Sequence, residues 1–372
     1  MKNRKNVVRL VLAFLLVTAF IGCKGPSTAS PGSNGTNPNQ TSEQGTEKKA
    51  YAVLNVGTQS VTMGFPVLYA QEKGLFQEAG LNVNVIIFPT GAPINEAIAA
   101  NELDIAASGF ASVYALANSD CSWLCDINTA GGMGLYARKD SDVVKAGKNL
   151  PNLPNVYGSA ETIKGSQVLE PLGTSAQFAT ECYLNRFGLT DADVEQVHME
   201  YAPAYQAFTA GEGDLISISP PYSYTMLEEG HVEICSFEDA TGVVLTDGCF
   251  ARNEVIKNRP DEVQLFINVL IKAMDELQDE KVRLEYTMKK YAENAQEVSE
   301  ESVRNEIRDR KYCGTAYCSA SDYTFGACWG AITDFLVKVE KIAPDNAPNV
   351  LASFNPTFLN NAIGKTVNVY SE

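Results

Sequence analysis

The chain has 372 residues, with 45 acidic against 29 basic side chains and a formal charge of −16. So acidic a chain is a poor partner for nucleic acid or for an anionic membrane surface, both of which need a basic face. Its length suits about two domains, each able to bury a core of its own.

Lys2, Arg4, Lys5 and Arg9 precede an uncharged apolar run from Leu10 to Ile21, and no acid occurs before Glu43. A positive start followed by a short apolar run is the pattern of an export signal, and the run falls short of the roughly 20 apolar residues of a spanning helix. Residues 1–22 are therefore expected to be removed. Phe20, Ile21, Gly22 and Cys23 resemble a bacterial lipobox, with Phe20 where Leu is usual, and the resemblance implies a diacylglyceryl thioether on Cys23. Val17 and Ala19 also suit an ordinary signal peptidase, whose cut would release a soluble protein. From Lys24 to Lys49 the chain is Gly, Ser, Thr, Asn, Pro and Gln with few apolar groups, too few to offset their own ordering entropy. Residues 23–50 are expected to form the lipidated Cys23 and a flexible linker, holding the body at the outer face of the cell membrane or in the periplasm.

The body beyond the linker is duplicated. The first copy reads "GTQSVTMGFPVLYAQEKGLFQEAGLNVNVIIFPTGAPINEAIAANELDIAASGFASVYAL", and the second "GTSAQFATECYLNRFGLTDADVEQVHMEYAPAYQAFTAGEGDLISISPPYSYTML". In both, a Gly-Thr loop leads into a helix that stops at a Gly-Leu pair, and a strand follows. A helix ending in "AIAANELD" or "AFTAGEGD" comes next, then a short apolar strand, then a loop of small residues that opens another helix. Leu81 to Asp104 spans 23 positions and Leu189 to Asp214 spans 25. "LNVNVIIF" is β-branched and alternating, as a strand needs. "INEAIAANEL" sets Ile94, Ala97 and Ile98 on one helical stripe. "DIAAS" and "DLISIS" are short and apolar enough for buried parallel strands. Strands alternating with helices in two copies predict two α/β lobes. Ligands of open α/β sheets sit beyond the carboxyl ends of the strands, so the duplicated loops are the candidate site. They are Gly57–Thr62 with Ser108–Ser112 in one copy and Gly173–Gln177 with Ser219–Tyr222 in the other.

The segments "EKGLFQEAGLNVNVI", "AIAANELDIAASG", "GTSAQF" and "AFTAGEGDLISISPPY" resemble the solute-binding proteins of ABC importers in the nitrate, sulfonate and thiamine-pyrimidine-precursor group, over roughly Tyr51 to Leu277. The resemblance implies a periplasmic-binding-protein type II fold, in which two lobes hinged by two crossing strands close on a small ligand and deliver it to an ABC permease. It also implies a monomer without a cofactor. Lobe one is expected to take residues 51–138 and 244–372, and lobe two residues 139–243. The long helices near Pro260–Tyr291 and Tyr323–Lys341 are expected to wrap back on lobe one as core, with Tyr291 on an outer helix. Candidate ligand-binding residues are Gln59, Ser60, Thr62, Ser108, Gly109 and Phe110 from lobe one. Lobe two offers Gly173, Thr174, Ser175, Ser219 and Tyr222, the last in "SISPPY" where relatives often carry a Trp before the Pro.

Small residues in these loops let a ligand approach main-chain N–H groups at helix N-termini, which favour anionic oxygen. No Lys or Arg falls in them, which argues against nitrate and bare inorganic anions. Phe110 and Tyr222 are expected to face the cleft, whereas Tyr114, Phe178 and Tyr205 lie inside predicted helices and are expected in the core. Apolar walls with a few polar groups suit a planar aromatic or heteroaromatic acid, or an organosulfonate. The rival reading is an enzyme related to the yeast-type pyrimidine-precursor synthase, which uses a cysteine cluster with iron and a consumed histidine. Here His198 falls in a predicted strand and His231 follows Gly230, neither beside a cysteine run, and no GxSxG, HExxH or Walker loop occurs. The reading is thus a binding protein with no catalytic residue, metal or cofactor, and a ligand sensor or an adhesin is the alternative outside enzymes.

Eight cysteines follow Cys23, namely Cys121, Cys125, Cys182, Cys235, Cys249, Cys313, Cys318 and Cys328. An even count in an exported chain favours disulfides over buried thiols, and the spacing lacks the paired CxxC of zinc sites. Cys235 with Cys249, flanking an expected lobe crossing, is the preferred pair, and Cys313 with Cys318 is the second.

Overall fold

The computed structural model describes residues 51–371; the export signal, Cys23 and the linker lie outside the described residues. Ten strands matter for the site: β1 Val53–Thr58, β2 Asn82–Ile87, β3 Ile105–Ser108, β4 Cys121–Thr129, β5 Gly134–Ala137, β6 Gln167–Glu170, β7 Glu195–His198, β8 Leu215–Ile218, β9 Val232–Ser236 and β10 Thr246–Arg252. They form two five-stranded sheets, ordered β2-β1-β3-β10-β4 and β7-β6-β8-β5-β9. In each sheet three parallel strands are followed by an antiparallel one that lies between the third strand and the edge. The shared order is the sequence duplication in three dimensions. β3 and β8 are buried along their whole length because helices cover both faces of a parallel sheet. The helix Gly91–Ala99 buries Ile94, Ala97 and Ile98, the stripe its spacing predicts.

The chain passes between the sheets twice, and the two passages run side by side. Ala130 N–H donates to the Leu245 carbonyl at 2.8 Å, and Phe237 N–H donates to the Met133 carbonyl at 2.9 Å. The first passage, from β4 to β5, comes earlier than expected: β5 pairs with β8 and β9 in the second sheet, so the change of lobe precedes Gly134 and does not follow Arg138. The sequence hides it because β4 and β5 are both buried, and only the uncharged Ala130-Gly131-Gly132-Met133 lies between them. What marks the passage is Gly131-Gly132. Gly132 has φ +78°, and a Cβ there would lie 2.2 Å from the Tyr224 hydroxyl. Only glycine fits such a close approach in that conformation.

The C-terminal region packs on both lobes. Phe266 of the helix Pro260–Glu276 stacks on Phe76 at 5.4 Å. Tyr291, expected on an outer helix, is fully buried against Phe65, and its hydroxyl donates to Glu306. The helix Trp329–Lys338 sets Trp329 edge-on to Trp123 at 5.0 Å, while its other end sets Phe335 against Phe178 of the second lobe at 4.7 Å. Ring pairs of this geometry contribute about 0.5–1.5 kcal/mol each beyond the area they bury. Among the described residues no helix is long and apolar enough to cross a membrane.

All eight described cysteines are free and buried, so the expected pairs are not formed. Cys235 lies in β9 of one sheet and Cys249 in β10 of the other, where its register partner is Cys125 of β4. Sequence proximity to the crossing misled because the chain changes sheets between the two positions. Cys318 donates its thiol to the Cys313 carbonyl at 3.1 Å. Burial pushes the Cys121, Cys182, Cys318 and Cys328 thiols up to about 12, so they stay protonated and poorly nucleophilic. Iodoacetamide should therefore leave the native body unlabelled and add eight groups to these cysteines after denaturation without reductant. Mass spectrometry showing six adducts would reveal a disulfide instead.

Glu170 ends β6 beneath the second-lobe loop. Burial raises its carboxyl to about 8, opposed by the Thr180 hydroxyl that donates to it and aided by the nearby Glu181. Its folded pKa exceeds the ordinary 4.5, so the folded state binds the proton more tightly. The associated stability is fully present below about pH 4.5 and is lost as pH rises through 8. Melting temperature should fall across that window in the wild type, and Glu170→Gln should remove most of the slope. Equal slopes would show that Glu170 titrates outside the window.

Candidate functional site

A cleft between the sheets encloses about 690 Å³ of unfilled space, part of it open to solvent. Its walls are strand-end loops. Gln59 follows β1, Pro89 to Gly91 follow β2, and Ser108 to Ala111 run out of β3. From the other lobe come Thr174 and Ser175 after β6, Tyr201 after β7, and Ser219 with Pro220 after β8. Three helices of eight or more residues begin at this wall: Gly91–Ala99, Ser175–Arg186 and Tyr201–Thr209. Their free N–H groups and dipoles favour a negatively charged atom in the cleft. Thr174 caps the second of them, its hydroxyl accepting from Ala176 N–H at 3.2 Å and donating to the Pro171 carbonyl at 2.7 Å.

Of the residues named from sequence, Gln59, Ser108, Gly109, Phe110, Thr174, Ser175 and Ser219 line this cleft. Phe110 also stacks on Phe178 across the lobe boundary, with centroids 5.1 Å apart. Ser108 is fully buried, and its Oγ has no hydrogen-bond partner. A Cβ at Gly91 would stand 3.0 Å from that oxygen, so the glycine leaves room beside it. Four named residues do not line the cleft. Ser60 accepts from the Asn294 amide through both its carbonyl and its hydroxyl. Thr62 spends its hydroxyl on Glu306. Gly173 N–H donates to Gln177 Oε1. Tyr222 stacks on Tyr205 at 5.2 Å, and its hydroxyl accepts from Gln296. A strand-end loop can be read from sequence, but which first-turn side chain points inward depends on how each helix leaves it. In the second lobe the inward ring belongs to Tyr201.

The cleft also holds two ionisable side chains that the duplicated loops do not contain, Asp247 and Arg310. Asp247 lies in β10, where its Oδ2 accepts from the Asn128 amide at 2.9 Å. A Cβ on Gly109 would come within 2.5 Å of its Oδ1, so the bare backbone at 109 is what lets the carboxylate reach the cleft. Burial raises the Asp247 carboxyl, while Arg310 and the Asn128 hydrogen bond oppose the rise. Arg310 follows the helix Glu300–Asp309 and donates its Nε to the Gly131 carbonyl at 2.9 Å. Burial works against its charge, but the carboxylates of Glu306 and Asp247 outweigh that and raise its pKa. The duplicated loops hold no cation, and the guanidinium reaches the cleft from a segment beyond them. Within "RNEIRDRKY" one arginine among several carries no signal of facing a cleft.

The NMT1-like family's sequence pattern matches residues 47–288. A putative ABC transporter periplasmic binding protein of Brachyspira hyodysenteriae is 28% identical over 264 residues, covering 70% of this chain and 76% of that protein. A putative aliphatic sulfonates-binding protein of Bacillus subtilis is 26% identical over 214 residues, covering 56% and 61%. Among solved structures, the alkanesulfonate-binding protein of Xanthomonas axonopodis pv. citri bound to MOPS is similar with a TM-score of 0.64 at 15% identity, over 82% of this chain and 99% of that one. The periplasmic nitrate-binding protein of Synechocystis PCC 6803 gives 0.63 at 13% identity, over 84% and 88%. The fold is therefore that of the periplasmic binding proteins, and by a match that spans most of its body the chain belongs to the NMT1-like family.

Proposed function

We propose that this protein is an extracytoplasmic solute-binding lipoprotein of an ABC importer, which closes two lobes on a small organic acid and hands it to the permease. The lobes are taken as residues 51–133 with 246–371, and 134–236, joined by the two passages. The observation that carries the reading is a single cleft between the sheets, walled by corresponding loops of both copies. A ligand there touches both lobes at once, which is the condition for binding to shift an open-to-closed equilibrium. The functions named for the relatives, sulfonate and nitrate binding among them, support the same class.

The ligand we infer is an organosulfonate or an aromatic or heteroaromatic acid. Its oxyanion is met by helix N-termini, the Ser108 hydroxyl and Arg310, and its body by Phe110, Tyr201, Met63 and Met133. The ground against bare inorganic anions is no longer a missing cation. It is Asp247, which presents a carboxylate to the same space, together with apolar walls that a small ion leaves unfilled.

With a ligand found by thermal-shift screening of sulfonates and aromatic acids, calorimetry should show Tyr201→Ala and Phe110→Ala each weakening binding by about 1–3 kcal/mol, the usual worth of burying a ring. Tyr222→Ala should cost clearly less. Small-angle scattering should show a more compact protein at saturation, and binding without a change of shape would sink the closure mechanism. Anchoring is tested separately. A clickable palmitate analogue should label the wild type and not Cys23→Ala, and equal labelling of both would remove the lipid from the proposal.

A further inference from the structure

The cleft contains opposite charges that do not neutralise each other by contact. Asp247 and Arg310 line the same space, yet the structure forms no ion pair between them. Each is anchored by one atom and open at another. Asp247 uses Oδ2 on the Asn128 amide and leaves Oδ1 without a hydrogen bond; Arg310 uses Nε on the Gly131 carbonyl and leaves both Nη atoms without one. Both side chains are more than nine-tenths buried. The Ser108 hydroxyl, fully buried and unpartnered among the described residues, stands in the same wall. Buried polar groups are almost always satisfied, so the unpartnered Ser108 Oγ, beside an Asp247 Oδ1 and Arg310 Nη atoms that no described group bonds, describes the partner this wall lacks.

Charge bookkeeping narrows that partner. Arg310 already stands near two carboxylates, Asp247 and Glu306, and Glu306 is closed off by the Tyr291 and Thr62 hydroxyls. A plain monoanion entering the cleft would bring a further negative charge into a desolvated place where guanidinium is outnumbered. A molecule that carries its own cationic group adds no net charge, and its cation can pair with Asp247 so that no buried charge is left unpaired.

We propose, resting on the importer reading above, that the cleft selects a zwitterionic organic acid, with its oxyanion toward Arg310 and Ser108 and its ammonium or protonated ring N–H toward Asp247. The pairing is the site's specificity device. Helix N-termini and Arg310 alone would accept any small oxyanion, and Asp247 refuses those that offer it nothing to accept from. Gly109 is part of the device, because a side chain there would collide with the Asp247 carboxylate.

The test uses matched probes on the mature chain: 3-(aminomethyl)benzenesulfonate against 3-methylbenzenesulfonate, 4-(aminomethyl)benzoate against 4-methylbenzoate, and sulfate alone. Calorimetry should show the ammonium member of at least one pair binding about tenfold or more tighter than its methyl partner, about 1.4 kcal/mol, with sulfate weaker than either. Asp247→Asn should bring that ratio to near one, and Arg310→Gln should weaken both members. Should either variant fail to fold, the wild-type ratio still decides the matter. Methyl partners that bind as tightly as the ammonium probes, or a ratio unchanged in a folded Asp247→Asn, would overturn the selection. If those plain anions also compact the protein in scattering, the importer reading stands without it. If no probe binds, the ligand class named here is wrong, whereas the importer reading falls only if the molecule retained through purification, found by native mass spectrometry, also leaves the shape unchanged.

Discussion

The Arg310 guanidinium stands where four parts of the chain meet. Its Nε holds the Gly131 carbonyl in the first passage between lobes, and its charge is balanced by Asp247 at the start of β10 and by Glu306 one helical turn back. Glu306 in turn accepts hydrogen bonds from the hydroxyls of Tyr291 and of Thr62, at the end of the loop after β1. Asp309, beside it in sequence, accepts from the Tyr224 hydroxyl of the second lobe at 2.6 Å. A buried arginine needs such company, since an uncompensated one is strongly destabilising. The C-terminal third of the chain is therefore a structural part of the cleft and of the hinge, although the repeat that defines the two lobes ends well before it.

That division explains what the sequence disclosed. Duplication is a signal of order and spacing, and the strand-helix alternation of "LNVNVIIF", "INEAIAANEL" and "DIAAS" survives as β2, the helix Gly91–Ala99 and β3. Loops at strand ends follow from topology, so Ser108, Phe110, Thr174 and Ser175 could be placed near the cleft before any coordinates. Side-chain direction could not. Tyr201 and Tyr222 each open a helix after a strand of the second copy, and only the packing of Tyr222 on Tyr205 and Gln296 decides that Tyr201 is the ring in the cleft. Asp247 and Arg310 were illegible for a different reason. Their meaning lies in long-range approach, across a passage whose only sequence mark is Gly131-Gly132. The cysteines show the same limit: Cys235 and Cys249 are close in sequence but lie in different sheets, while Cys249 faces Cys125 across a ladder.

The contacts between lobes set how hard a ligand must work. Phe110 on Phe178, Tyr224 on Asp309, Gln296 on Tyr222, and Ser299 with Ser302 on Glu228 join the lobes without any ligand. Each is small, since a net hydrogen bond is worth about 0.5–1.5 kcal/mol and exposed ones less. To turn a two-state equilibrium from one part in a hundred to ninety-nine requires about 5.5 kcal/mol of differential binding. Built-in contacts would lower the part that a ligand must add; the hydrogen bonds among them run through the helix Tyr222–Glu228, and Phe110 on Phe178 joins through the helix Ser175–Arg186. On the proposed closure a ligand would act on a different constraint. Closing over an empty cleft would seal the Arg310 Nη atoms, Asp247 Oδ1 and Ser108 Oγ away from water without a partner; closing over a molecule that meets all three would remove that cost. On that proposal the groups that would make the closed state unfavourable when empty are those that would make it specific when filled.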